Sequence, residues 1–215
     1  VSAAPRRGCL IVMEGGEGVG KTTNLAFVAE HLRAAGVSLV CSREPGGTAL
    51  GEALRGLLLD PDRGAPCADA ELLMMFAARA QHIAEVIEPA LARGDWVLSD
   101  RFTDASFAYQ GGGRGAPLAR IAELERWVQG ELRPDCVLLL DAPVELGMAR
   151  AGRRGVLDRF ERERAAFFER VREVYLQRAA QQPARYRLID AAQPLREVQR
   201  ALAARLDELL EAGDG

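Results

Sequence analysis

The stretch that decides the fold is Cys9-Leu10-Ile11-Val12-Met13-Glu14 followed by Gly15-Gly16-Glu17-Gly18-Val19-Gly20-Lys21-Thr22. Its first half is a short apolar run without alternation, which reads as a strand buried on both faces. Its second half fits G-x-x-x-x-G-K-[ST], and a helical pattern then runs to Ala35 and stops at Gly36, a good C-terminal cap. Strand, glycine loop and helix in that order are the context a phosphate-binding loop requires. Glycines let the loop curl so that successive N–H groups face phosphate oxygens, and the helix adds its positive N-terminal end. Residues Gly15, Gly16, Glu17, Gly18, Val19, Gly20, Lys21 and Thr22 are therefore the expected nucleotide cradle, with Lys21 as a compact, mobile ammonium and Thr22 as a hydroxyl for Mg²⁺.

Composition makes Lys21 stand out. The 215-residue chain carries 28 basic side chains, and Lys21 is its only lysine; the rest are arginine. An arginine fork would crowd a phosphate loop, which gives the one lysine its reason. A formal net charge of −3 excludes the broad basic surface that binding nucleic acid demands. No apolar run approaches the roughly 20 residues needed to cross a bilayer, and Val1 to Gly8 lacks the apolar core of a signal peptide. The expectation is a cytoplasmic protein with no membrane partner, folded as one domain over residues 1–215. Cys9, Cys41, Cys67 and Cys136 lack metal-site spacing and are expected to be small buried hydrophobes.

Four further strand-like runs follow: Ser38 to Ser42, Trp96 to Ser99, Cys136 to Leu140 and Tyr186 to Ile189. Helical patterns lie between and after them, over about Asp69 to Arg93, Leu118 to Leu132 and Arg159 to Ala180, and in a last helix carrying Leu195, Val198, Leu202, Leu206 and Leu209. Alternation over the whole length predicts an α/β fold, a parallel sheet with helices on both faces.

Two segments fall at the C-terminal ends of strands, where open α/β sheets bind ligands. They are Ser42-Arg43-Glu44-Pro45-Gly46-Gly47-Thr48 and Ser99-Asp100-Arg101-Phe102. Asp100 is a candidate for the surroundings of Mg²⁺. Arg43 and Arg101 are candidates to clamp a second phosphate, because their forked geometry suits that anion.

These pieces, with Ala108-Tyr109-Gln110 and Leu157-Asp158-Arg159-Phe160-Glu161, occur in an order that resembles the thymidylate kinases, a family of nucleoside monophosphate kinases. The resemblance spans about Gly8 to Leu210. It implies a P-loop NTPase-like three-layer fold with a five-stranded parallel sheet, ATP and Mg²⁺ on the donor side, dTMP as acceptor, and a homodimer. It also implies roles for particular residues: Glu17 near the sugar hydroxyl or Mg²⁺, Arg43 and Arg101 on the acceptor phosphate, Arg79 on the base, and Ser106, Tyr109 and Gln110 near thymine and sugar. For the side chain stacking on the base, the candidates are Phe76, which is favoured, and Met75. Ala105 departs from the serine common at that position.

The stretch from Ala142 to Glu161 is expected to be a lid, with Arg150, Arg153, Arg154 and Arg159 among flexible glycines. Gly18 stands where some relatives carry a catalytic arginine, so the resemblance implies that the lid supplies the charge, Arg154 first and Arg150 second. Asp158 and Glu161 are candidates to order the lid. Gly111-Gly112-Gly113-Arg114-Gly115 reads as a flexible loop, and His31 and His82 as isolated. The segment Asp190 to Pro194 lies where the family approaches adenine. Another small-molecule P-loop kinase and a nucleotide-binding switch are the alternatives; the guanine-reading N-K-x-D segment of the latter is absent.

Overall fold

Unalternated apolar runs form strands only where both sheet faces are covered, and this chain covers both. A computed structural model describes residues 7–60, 62, 64–152, 160 and 163–213. Strands β1 (Leu10–Gly15), β2 (Leu39–Arg43), β3 (Trp96–Asp100), β4 (Cys136–Asp141) and β5 (Tyr186–Asp190) form one parallel sheet in the order β2-β3-β1-β4-β5. Ile11, Met13, Leu138 and Leu140 point into one core with Val28 and Leu32 of helix α1 (Lys21–Ala34) and Val198, Leu202 and Leu206 of the last helix, Leu195–Gly213. On the opposite face Val137 and Leu139 pack with Phe168, Val171 and Tyr175, while Leu10 and Val12 pack with Ile83, Ile87 and Leu91. The period of two along each strand thus feeds two helical layers. All five C-terminal strand ends, Gly15, Arg43, Asp100, Asp141 and Asp190, lie along one edge, and the segments that leave β1, β2 and β3 there line the site.

Each of the five expected strands is present, displaced by about one residue at its ends. The expected helix over Asp69 to Arg93 is continuous but uneven. It runs as α3 (Ala68–His82), a wider π-turn over Ile83–Ile87, and α4 (Glu88–Ala92). Pro89 accounts for the widening, since it has no N–H to donate and its ring would press on the carbonyl four residues earlier, at Glu85. Helix α6 spans Leu118–Gln129, and α8 spans Ala165–Gln181, so Phe160 lies before α8 although its side chain is buried.

Three elements had no counterpart in the sequence reading: α2 (Ala49–Leu59), α5 (Thr103–Ser106) with its π continuation over Phe107–Gly113, and α7 (Val144–Ala151). The last helix is α9. The expected flexible loop at Gly111 to Gly115 is corrected. Gly111 and Gly113 are buried in the π segment, and a Cβ on Gly112 would stand 2.7 Å from the Arg170 carbonyl of α8. Glycine there serves close helix approach. The cysteine expectation holds for Cys136, which is buried, but Cys41 and Cys67 are exposed; all four are free thiols. Among the described residues no helix is long and apolar enough to cross a membrane.

Candidate active site

The phosphate loop follows β1 and turns into α1 at Gly20, whose φ of 89° only glycine adopts readily. Val19 anchors the loop in the core. Lys21 Nζ donates to the carbonyls of Gly15 at 3.1 Å and Gly16 at 2.7 Å, so the ammonium is held at the mouth of the loop. Loss of hydration, followed by the nearby charge of Arg101, pulls its pKa below the ordinary lysine value. The loop is pressed against α7: a Cβ on Gly18 would overlap the Gly147 carbonyl. No side chain fits at position 18, in keeping with a charge donor placed elsewhere.

Beside the loop, the chain leaves β3 through a strained corner. Arg101 has a φ of 69°, in the left-handed region where non-glycine residues are uncommon and where active sites store strain. The corner is held from both sides. The Arg101 N–H donates to the Met13 carbonyl at 3.0 Å, and the Phe102 N–H donates to Glu14 Oε1 at 2.8 Å. The guanidinium donates through Nη1 to the Gly15 carbonyl and Tyr175 hydroxyl, both at 3.1 Å, and through Nη2 to Glu17 Oε1 at 2.6 Å and the Tyr109 hydroxyl at 2.9 Å. Tyr109 in turn donates to Glu17 Oε1 at 2.7 Å, and Tyr175 to Glu14 Oε2 at 2.8 Å. Burial opposes the charge on Arg101, but Tyr109 and Glu17 outweigh it and keep the guanidinium well above its ordinary pKa. Burial, reinforced by Asp104, pushes the Glu14 carboxyl up to about 8. Asp100 Oδ1 is buried and has no hydrogen-bond partner among the described residues. An orphaned carboxylate oxygen on a residue that lines the same cavity as Thr22 fits a bound cation.

At the far side Arg79 of α3 is 2% exposed. Its Nε donates to Glu44 Oε2 at 2.8 Å, and its Nη2 donates to the Phe102 carbonyl and Ser106 Oγ, both at 3.1 Å. Its Nη1 is buried and has no partner among the described residues. Gln110 Nε2 donates to Glu71 Oε1 at 2.8 Å, which fixes the amide. One continuous cavity of about 610 Å³ connects these parts, reaching from Lys21 and Thr22 past Asp100, Arg101 and Tyr109 to Met75 and Arg79.

The sequence profile described as thymidylate kinase matches residues 13–202. The chain belongs to the thymidylate kinase family. It is 63% identical over 204 residues to a thymidylate kinase of Pseudomonas entomophila (strain L48), covering 95% of this chain and 97% of that protein. It is 59% identical over 208 residues to one from Ectopseudomonas mendocina (strain ymp), covering 97% and 99%. A crystal structure of thymidylate kinase from Ehrlichia chaffeensis superposes with a TM-score of 0.76 at 28% identity, over 95% of this chain and 99% of that one. As a member of the family the chain is a nucleoside monophosphate kinase, a transferase with a P-loop NTPase fold.

Within this thymidylate kinase fold the cavity gathers Glu17, Gly18, Gly20, Lys21, Thr22, Asp100, Arg101, Ser106, Tyr109, Gln110, Arg79 and Arg150. Gly15, Gly16 and Val19 of the expected cradle do not line this cavity, and two residues expected on the acceptor side are elsewhere. Arg43 is about half exposed and turns away, donating to Glu52 Oε2 at 2.8 Å; Arg55 of α2 lines the cavity instead, with Nη1 on the Pro45 carbonyl at 2.9 Å. Phe76 lies in the core with the Arg79 guanidinium 4.6 Å above its ring, so its face is taken, and Met75 is the one at the cavity wall. His82 is not isolated but fully buried against Glu44 and Ser42. Arg150 donates to the Ala191 carbonyl at 2.8 Å, which ties α7 to the loop after β5. Arg153, Arg154, Asp158, Arg159 and Glu161 lie outside the described residues. No sequence motif marks Arg55. Its signal was Thr48 as an N-cap before Leu50, Leu54 and Leu58; the Thr48 hydroxyl does accept the Gly51 N–H at 3.0 Å.

Proposed function

We propose that this chain transfers the γ-phosphoryl group of ATP to dTMP, yielding ADP and dTDP for DNA precursor synthesis. The observation that carries the reading is the single cavity with a phosphate loop at one end and the unpartnered Nη1 of Arg79 at the other. In this reading an oxygen of the dTMP phosphate attacks the γ-phosphorus while the bond to the bridging oxygen of ADP breaks. The backbone N–H groups of residues 15–22 and the Lys21 ammonium hold the donor phosphates; Lys21 exchanges its two carbonyl partners for phosphate oxygens when ATP enters. Arg101, aimed by Tyr109, Tyr175 and Glu17, faces the acceptor phosphate together with Arg55. Arg79 reads the base, Met75 packs on it, and Ser106 and Gln110 complete that wall.

Mg²⁺ would be held by Thr22 and Asp100 and would neutralise charge on the transferring phosphates. Arg150 and Arg154 are assigned to a lid over about residues 142–161, completing one kinase unit that works in the cytoplasm. The unit pairs as a homodimer: Leu50 and Leu57 of α2, Leu73 of α3 and Trp127 of α6, the last 81% exposed, leave neighbouring helices with apolar surface that a second copy would cover.

The test is coupled phosphate transfer from ATP to dTMP, dUMP, dCMP, dGMP and shikimate. Preferred turnover of any acceptor other than dTMP overturns the assignment. Sedimentation of the chain beside a Trp127→Glu variant tests the dimer, which the substitution should dissociate.

A further inference from the structure

Ser42 and His82 have no task in the reaction above, yet they stand directly behind Glu44 and Arg79 of the cavity wall. His82, the last residue of α3, is fully buried. Its Nδ1 lies 2.9 Å from Glu44 Oε1 and its Nε2 lies 2.6 Å from Ser42 Oγ. A carboxylate can only accept, so Nδ1 donates to Glu44 Oε1, while Nε2 and the Ser42 hydroxyl share the second hydrogen bond. The other Glu44 oxygen, Oε2, accepts Arg79 Nε at 2.8 Å. A single file of hydrogen bonds therefore runs from Ser42 through His82 and Glu44 to Arg79. The packing around it has no slack: a Cβ on Gly47 would overlap Ser42 Oγ and stand 2.8 Å from His82 Cδ2.

The file ends at the cavity. Among the described residues every nitrogen of Arg79 is engaged except Nη1, and the Phe76 and Phe102 rings, centred 4.6 and 5.5 Å from the guanidinium carbon, confine its plane. A carboxylate held by one donor can rotate; a second donor on the opposite oxygen fixes its plane, and with it the direction in which Oε2 receives Arg79 Nε. The geometry points to His82 as a positioning residue for base selection. Through Glu44 it aims Arg79 Nη1, a pure donor, at a carbonyl of the base edge, so that thymine is accepted and the 4-amino group of cytosine is refused. This inference rests on the dTMP kinase reading.

The test compares the full chain with His82→Leu, His82→Asn and Ser42→Ala, using dTMP and dCMP as acceptors and recording melting temperature. His82→Leu should raise KM for dTMP about tenfold and cut the dTMP to dCMP ratio of kcat/KM by a similar factor, with KM for ATP unmoved. His82→Asn, whose amide nitrogen takes the place of Nδ1, should recover most of both. Unchanged dTMP KM and ratio in folded His82→Leu overturn the proposal. So do parallel losses toward dTMP, dCMP and ATP, which mark a merely structural residue. Should His82→Leu fail to fold, Ser42→Ala decides, on a half-buried residue: a raised dTMP KM with a reduced ratio supports the relay, and wild-type values overturn it. A wild-type chain inactive on dTMP sinks the function itself, a result distinct from active wild type with indifferent variants.

Discussion

Gly18 and Gly147 meet backbone to backbone: a Cβ on Gly18 would overlap the Gly147 carbonyl, and a Cβ on Gly147 would overlap the Glu17 carbonyl. The phosphate loop and helix α7 therefore fit only while both residues are glycine. Gly147→Ala tests which effect wins. Alanine gains about 1 kcal/mol of helix propensity, but overpacking costs about 1–3 kcal/mol, so the net sign is destabilising. The melting temperature should fall by a few degrees and KM for ATP should rise, as thermal melts and steady-state kinetics will record.

Glu14 predicts a pH dependence of stability. Its carboxyl is raised in the folded state from the ordinary 4.5 to about 8, by burial first and Asp104 second. Between those values the folded protein keeps a proton that the unfolded chain has released, so stability falls as pH rises through this window. The loss is at most about 1.4 kcal/mol per pH unit. Glu14→Gln removes the titration while keeping groups for the Phe102 N–H and the Tyr175 hydroxyl. Denaturant unfolding at pH 5 to 9 should show wild type losing stability relative to the variant, and a difference that stays flat would refute the raised carboxyl.

Lys21 is the only lysine and bonds two loop carbonyls. Lys21→Arg keeps the charge but replaces a point donor with a planar fork. It should cut kcat about a hundredfold or more, leaving melting temperature and KM for dTMP near wild type. An unchanged kcat would remove this account of the chain's single lysine.

Arg55 and Arg43 separate structure from expectation. Arg55 lines the cavity, whereas Arg43 bonds Glu52, holding that carboxyl below its usual range with help from the Gly47 N–H. Arg55→Ala should raise KM for dTMP about tenfold or more, in line with losing a charged hydrogen bond. Arg43→Ala should have a smaller effect, through the loosened Gly46-Gly47 turn. Equal effects of the two substitutions would contradict the geometry.

Strands β1, β3 and β4 were readable because each is a short apolar run buried on both faces, whereas the edge strands β2 and β5, partly exposed, were read from the strand–helix alternation around them. Helix α2 was not readable with equal ease, because Gly51 and Gly56 interrupt its apolar pattern. The glycines at 111 to 113 suggested looseness, but glycine also permits close contact, and the Arg170 backbone decides between the two.

The phosphate loop, the reason for Lys21, the parallel sheet and the line of strand ends were all legible one dimension at a time, since local spacing sets them. That Arg55 and Met75 line the cavity while Arg43 and Phe76 do not, and that a file of hydrogen bonds joins Ser42 to Arg79, depends on which neighbours each side chain meets in the fold. Those neighbours are up to 40 residues apart in the chain, and only folding brings their hydrogen bonds into competition.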